Sequence, residues 1–179
     1  MDGSSDVTFN NFRSTVRFTR NLAKVFDVSA SDAHVALVVY AQETETVFNL
    51  TKHLSYQQLQ RAISGAQYPN KKKRNVGGGL RRVDNILASG GRQGVPKLVI
   101  SVQNGKSDDG IDVISQELKA KGIKVFGLGI NNLISNGQIK EIAYKPNEDY
   151  FHLVAYDNMD SPGVVQSLKQ AICKGNYFK

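Results

Sequence analysis

A chain of 179 residues, 40% hydrophobic and 22% charged, has the length and apolar content for one domain with a single sizeable core, and it excludes a disordered or repeat-built chain. Its longest apolar runs, such as Val35–Tyr40 and Leu98–Val102, are too short to cross a bilayer. The formal charge of +7 is concentrated, because Lys71, Lys72, Lys73, Arg74, Arg81, Arg82 and Arg92 share one stretch whose only acid is Asp84.

Apolar residues at Phe12, Val16, Leu22, Val25 and Phe26 recur mostly every three or four positions, predicting a helix over Asn10–Phe26. Val35–Ala41 is a continuous β-branched and aromatic run, the pattern of a strand covered on both faces. Thr46–Leu50 follows the polar turn Gln42–Glu45 closely enough to pair with it antiparallel, as an edge strand. Ser55 caps a helix through Ala66 that buries Leu54, Leu59, Ile63 and Ala66. Gly77–Ala88 reads as a further helix, and Lys97–Gln103 as a second buried strand with Pro96 at its start. Asp109–Ala120 is a helix ending at Gly122, followed by the strand Lys124–Ile130. A short helix over Gln138–Tyr144, the strand Tyr150–Ala155 and the helix Pro162–Lys174 complete the chain.

This alternation implies a doubly wound, Rossmann-like α/β domain over residues 1–179. It has a mainly parallel sheet, one antiparallel edge strand and helices on both faces. In such sheets ligands bind beyond the carboxyl ends of the strands. The loops after Met1, around Arg74 and after Gln103 are therefore expected together at one face.

Motifs for catalysis are lacking. Gly77-Gly78-Gly79 has neither the spacing nor the preceding strand of a dinucleotide fingerprint. Gly105-Lys106-Ser107 resembles the end of a phosphate-binding loop, but Ile100 stands where that loop's first glycine belongs. The three histidines are scattered, and no Cys/His cluster suggests zinc. Cys173, the only cysteine, is either a small apolar residue of the last helix or half of a bridge to a partner outside this segment. The basic run is either a solvated loop and helix face or a site for a polyanion or an acidic protein surface. No nucleic-acid motif and no interleaved aromatics accompany it. Asn49-Leu50-Thr51 is an N-glycosylation sequon at the end of the expected edge strand.

The opening Met1-Asp2-Gly3-Ser4-Ser5-Asp6, the Phe12–Phe26 helix, Val35–Tyr40, Gly77–Leu80, Lys97–Asp109 and Val125–Gly129 together resemble, in order, von Willebrand factor A domains. The resemblance points to the extracellular matrix branch of the family, such as collagen VI and matrilin A domains. The resemblance implies a binding module and not an enzyme. It also implies a buried first strand leading into the first loop, of which only Met1 stands here, so the expectation is that native residues precede it.

The family holds a divalent ion with an Asp-x-Ser-x-Ser loop, a Thr of a second loop and an Asp of a third. Carried onto this chain, the resemblance matches Asp2 and Ser4, puts Asp6 in place of the second Ser, Arg74 at the Thr and Asn104 at the Asp, after Gln103. Arginine cannot serve as a ligand, and Asn104 offers an oxygen but no charge. The implied site is therefore a degenerate metal-ion-dependent adhesion site, with no cofactor expected; any ion retained would rest on Asp2, Ser4 and Asp6. A guanidinium forked onto a carboxylate would supply the missing positive charge. The alternative for Asp2 and Asp6 is ordinary turn and capping work.

The expected function is a secreted adhesion or matrix-assembly module binding a matrix protein, a collagen among the candidates, through Asp2, Ser4, Asp6, Arg74 and Asn104. The alternatives are a sulfated-glycan-binding module using the basic patch of Lys71, Lys72, Lys73, Arg81 and Arg82, and a spacer in a tandem array. Neither nucleic acid nor membrane insertion is expected.

Overall fold

The computed structural model describes residues 1–130, 136–144 and 151–174. In chain order it contains α1 (Phe9–Ala23), β1 (Leu37–Tyr40), β2 (Thr44–Phe48), α2 (Tyr56–Ser64), α3 (Val76–Gly90), β3 (Leu98–Gln103), α4 (Asp112–Ala120), β4 (Lys124–Ile130), α5 (Asn136–Ile142), β5 (Phe151–Val154) and α6 (Pro162–Lys174). The expected strand start at Tyr150 lies outside the described residues.

β3, β4 and β5 form a parallel sheet in that order, with Leu98 opposite Lys124 and Gly127 opposite Phe151. β1 and β2 pair antiparallel, Tyr40 facing Thr44 and Leu37 facing Phe48. On the other side of β1 run residues 1–3, parallel to it: Met1 N donates to Val38 O (2.8 Å), Tyr40 N to Met1 O (3.0 Å) and Gly3 N to Tyr40 O (2.8 Å). The Tyr40 side chain reaches across to β3 and donates its hydroxyl to Val102 O at 2.6 Å. Burial pushes that phenol's pKa well above its usual value, so it stays a donor.

Successive residues of a strand point to opposite faces, and here both faces are covered. Leu37 and Val39 enter one core with Phe12, Phe18, Leu59, Phe126, Leu128, Leu168 and Ile172, under α1, α2 and α6. Val38 and Tyr40 enter a second core with Val76, Leu80, Ile114, Leu118 and Val125, under α3 and α4. The doubly wound α/β architecture with one antiparallel strand is therefore present.

Several boundaries differ from the sequence pattern for identifiable reasons. α1 stops at Ala23, and Val25 and Phe26 continue to pack on the core from a turn, so the apolar pattern outlasts the helix. The edge pairing begins two residues early, at Thr44, because Ala41 N closes a tight turn on Glu43 O at 2.9 Å. Leu54 was expected on a buried side but is 36% exposed; it precedes the Ser55 cap, which accepts from Gln58 N, while Leu59 and Ile63 carry the burial. α4 starts at Asp112 and not at Asp109, because the Asp109 carboxylate is drawn off to another helix.

α4 also supplies a test of which face is buried. Leu118 is fully buried whereas Val113 is 66% exposed. Leu118→Ala should lower unfolding stability by about 2–5 kcal/mol in urea titrations, and Val113→Ala should stay within about 0.5 kcal/mol of wild type.

Candidate functional site

The site forms where the backbone brings three loops to the carboxyl ends of the strands. The first loop, after residues 1–3, is pinned to the second by Ser5 N donating to Lys71 O (2.8 Å) and Asn70 N donating to Gly3 O (3.1 Å). Asn70 takes a left-handed conformation (φ 52°), which asparagine tolerates better than most residues. The second loop is pinned to the third by Asp108 N donating to Arg74 O (2.9 Å) and by Arg74 N donating to Asp108 Oδ2 (2.7 Å).

At the centre lies Asp2, 3% exposed. One carboxylate oxygen, Oδ1, accepts from Ser4 N (2.9 Å) and Ser4 Oγ (2.7 Å). The other, Oδ2, accepts from Arg74 Nε (2.6 Å) and Asn104 N (3.2 Å). Arg74, only 7% exposed, also donates Nη2 to Asp6 Oδ2 (2.9 Å) and Nη1 to Lys106 O (3.3 Å). Burial opposes charge on the guanidinium, but attraction and hydrogen bonds from Asp2 and then Asp6 outweigh it, raising the Arg74 pKa further.

Four donors therefore occupy the lone-pair directions of the Asp2 carboxylate. A divalent ion does not fit this donor set. Arg74 already bridges Asp2 and Asp6, and the buried oxygen left over is the neutral Asn104 Oδ1, which has no partner among the described residues. A doubly charged ion about 5 Å from the guanidinium would be repelled by roughly 7 kcal/mol at an effective dielectric of roughly 20.

All five residues expected at this face, Asp2, Ser4, Asp6, Arg74 and Asn104, meet there. Asn104 does so through its backbone N–H and not its side-chain carbonyl. Lys71, Lys72 and Lys73 are exposed beside it. Arg81 and Arg82 are exposed on α3, and the Arg81 Nη1 lies 3.1 Å from where a Cβ on Gly77 would stand, folded back toward the helix start. Asn49 lies apart from this cluster, beyond β2.

Other contributors were not foreseen. Asp109 accepts from Gly77 N (2.8 Å) and Gly78 N (2.7 Å), placing a carboxylate on the positive N-terminus of α3. Ser107 Oγ donates to Asp109 Oδ1 (2.7 Å) and accepts from Val76 N (3.1 Å). A Cβ on Gly77 would lie 2.1 Å from Gly110 O, so that glycine is what lets loop and helix meet. Gln138 of α5 accepts from Ser107 N (2.8 Å) and donates to Gln103 Oε1 (2.7 Å). The adjacent acids Asp108-Asp109 and the glycines that open α3 are the available signal, but only the fold joins them.

Removing Arg74 should unbalance the site far more than removing its exposed partner. Arg74→Met leaves a buried Asp2 carboxylate uncompensated and should cost about 3–5 kcal/mol of unfolding free energy. Asp6, whose side chain is 67% exposed, should cost at most about 1 kcal/mol as Asp6→Asn. Gly105→Ala, whose Cβ would meet Arg74 Nη1 at 2.6 Å, should lower the melting temperature by displacing the guanidinium.

Comparison with known proteins identifies the fold and the family. The chain is 27% identical to cuticlin-6 of Caenorhabditis elegans over 99% of its own length and 30% of that protein, and 28% identical to bovine (Bos taurus) matrilin-1 over 97% of its length and 32% of that protein. It thus spans about a third of these curated relatives. Among solved structures, proximal thread matrix protein 1 from the mussel byssus superposes with a TM-score of 0.87 at 23% identity, covering 97% of this chain and 46% of that one. A form of the same mussel protein with a zinc-occupied MIDAS motif gives a TM-score of 0.88 at 22% identity, covering 97% of this chain and 46% of that one. These two likenesses establish the fold. Residues 1–167 match the von Willebrand factor type A domain model, and the chain belongs to that family.

Proposed function

We propose that residues 1–179 form a single A-type domain that acts in matrix adhesion or assembly, binding a matrix protein, a collagen among the candidates, through its strand-end face. It does so without catalysis and without a divalent ion. The observation that carries this reading is the Arg74 guanidinium bound to both Asp2 and Asp6. A fixed internal cation holds the three loops in one arrangement, so the surface they present does not wait for metal. Its relatives, matrilin-1 and collagen α1(XII), are matrix proteins, which supports a matrix partner.

Binding to immobilised matrix proteins, collagens included, should be the same in EDTA as in Mg²⁺ or Mn²⁺. Calorimetric titration with either ion should give no dissociation constant below about 1 mM. Tighter binding, or a melting temperature that falls on chelation, would overturn the metal-independent reading. Asp6→Lys, which changes the exposed rim of the face, should weaken partner binding while leaving the fold intact.

A second reading rests on one specific observation. Lys71, Lys72 and Lys73 are exposed in a row, and no ion pair engages them among the described residues. Such a row attracts sulfated glycans by charge alone, and that attraction collapses as salt rises. Reversing the three charges should lower the salt needed to elute the domain from heparin and barely move its melting temperature, since exposed charges contribute little to stability. Unchanged elution would remove this reading.

A further inference from the structure

We propose that Asn49 carries an N-linked glycan at the pole of the domain opposite the strand-end face. Asn49-Leu50-Thr51 is the single Asn-x-Ser/Thr sequence in the chain, and its middle residue is not proline. The fold presents it for modification. Leu50 is 9% exposed and packs into the second core, anchoring the segment, while Asn49 and Thr51 on either side of it are exposed. Lys52 N donates to Asn49 O (3.1 Å), so the sequon occupies a turn that leaves β2 and not the strand itself.

The position is compatible with binding elsewhere. Tyr40, at the site end of β1, faces Thr44, whereas Leu37 at the far end faces Phe48. Asn49 follows Phe48 and therefore leaves the sheet at the end away from Asp2 and Arg74. β2 pairs with β1 alone among the described strands, so a glycan here stands at the end of an open edge, where it crowds no sheet neighbour.

The chemistry is a substitution with no change of oxidation state. The Asn49 amide nitrogen forms a bond to the anomeric carbon of a lipid-linked diphosphate oligosaccharide. The bond from that carbon to the diphosphate oxygen breaks, the lipid diphosphate leaves, and the amide loses one proton. The membrane of a eukaryotic secretory compartment supplies the lipid-linked donor, and its oligosaccharide transferase is the catalyst.

The whole chain, secreted from cultured animal cells behind an added signal sequence, tests this. Intact mass spectrometry of protein recovered from the medium should show an added glycan. Treatment with a peptide-N-glycosidase should remove it and leave Asp at position 49. Asn49→Gln and Thr51→Ala should secrete without the added mass, and Thr51→Ser should retain it. Secreted wild type of unmodified mass, or an N-glycan that persists in Asn49→Gln, would overturn the proposal. Neither outcome depends on what the strand-end face binds.

Discussion

A carboxylate buried at Asp2 is tolerable only beside a positive charge, and the arrangement of the strand-end face follows from how this chain supplies one. Burying an unpaired carboxylate costs many times what a surface ion pair returns. The Arg74 side chain meets the need from within the protein, with Nε at 2.6 Å from Asp2 and Nη2 at 2.9 Å from Asp6. Because the cation is attached to the backbone at Arg74, satisfying Asp2 also fixes the second loop against the first.

The third loop is held by the same logic applied to partial charges. The N-terminus of α3 offers unpaired N–H groups that a carboxylate can accept, and Asp109 takes those of Gly77 and Gly78. Asp108 meanwhile receives the Arg74 backbone N–H. Arg74 thus engages the first loop with its side chain and the third with its main chain and Nη1. Positions 77 and 105 are held by glycine because a Cβ would stand 2.1 Å from Gly110 O at the first and 2.6 Å from Arg74 Nη1 at the second. Drawing Asp109 toward α3 shortens α4 at its start, so the electrostatics of the site reach into the helix boundaries.

The basic run divides according to this plan. Arg74 is buried and paired with the acids of its own chain, buried Asp2 and exposed Asp6, while Lys71–Lys73 just before it stay in water. Four consecutive cations that look equivalent in sequence therefore do different work. One is buried and structural and stays charged at any ordinary pH; three project into solvent at the rim of the face.

The sequence by itself determined the elements and their layering. Runs such as Val35–Tyr40 and Lys124–Ile130 are apolar on both faces and can rest only inside a sheet covered twice. Periodicity likewise placed α1, α2 and α6 near their observed positions, and the order of motifs carried the resemblance to A-type domains and the cluster of Asp2, Ser4, Asp6, Arg74 and Asn104. What the tertiary structure alone decided was how those residues touch. Asn104 serves through its N–H and not its side chain, Leu54 lies outside, and Asp109 caps a helix more than thirty residues earlier in the chain. Periodicity reports which face of an element is apolar. It carries no information on hydrogen bonds between loops distant in sequence, because those depend on backbone positions that exist only once the sheet has brought the strand ends together.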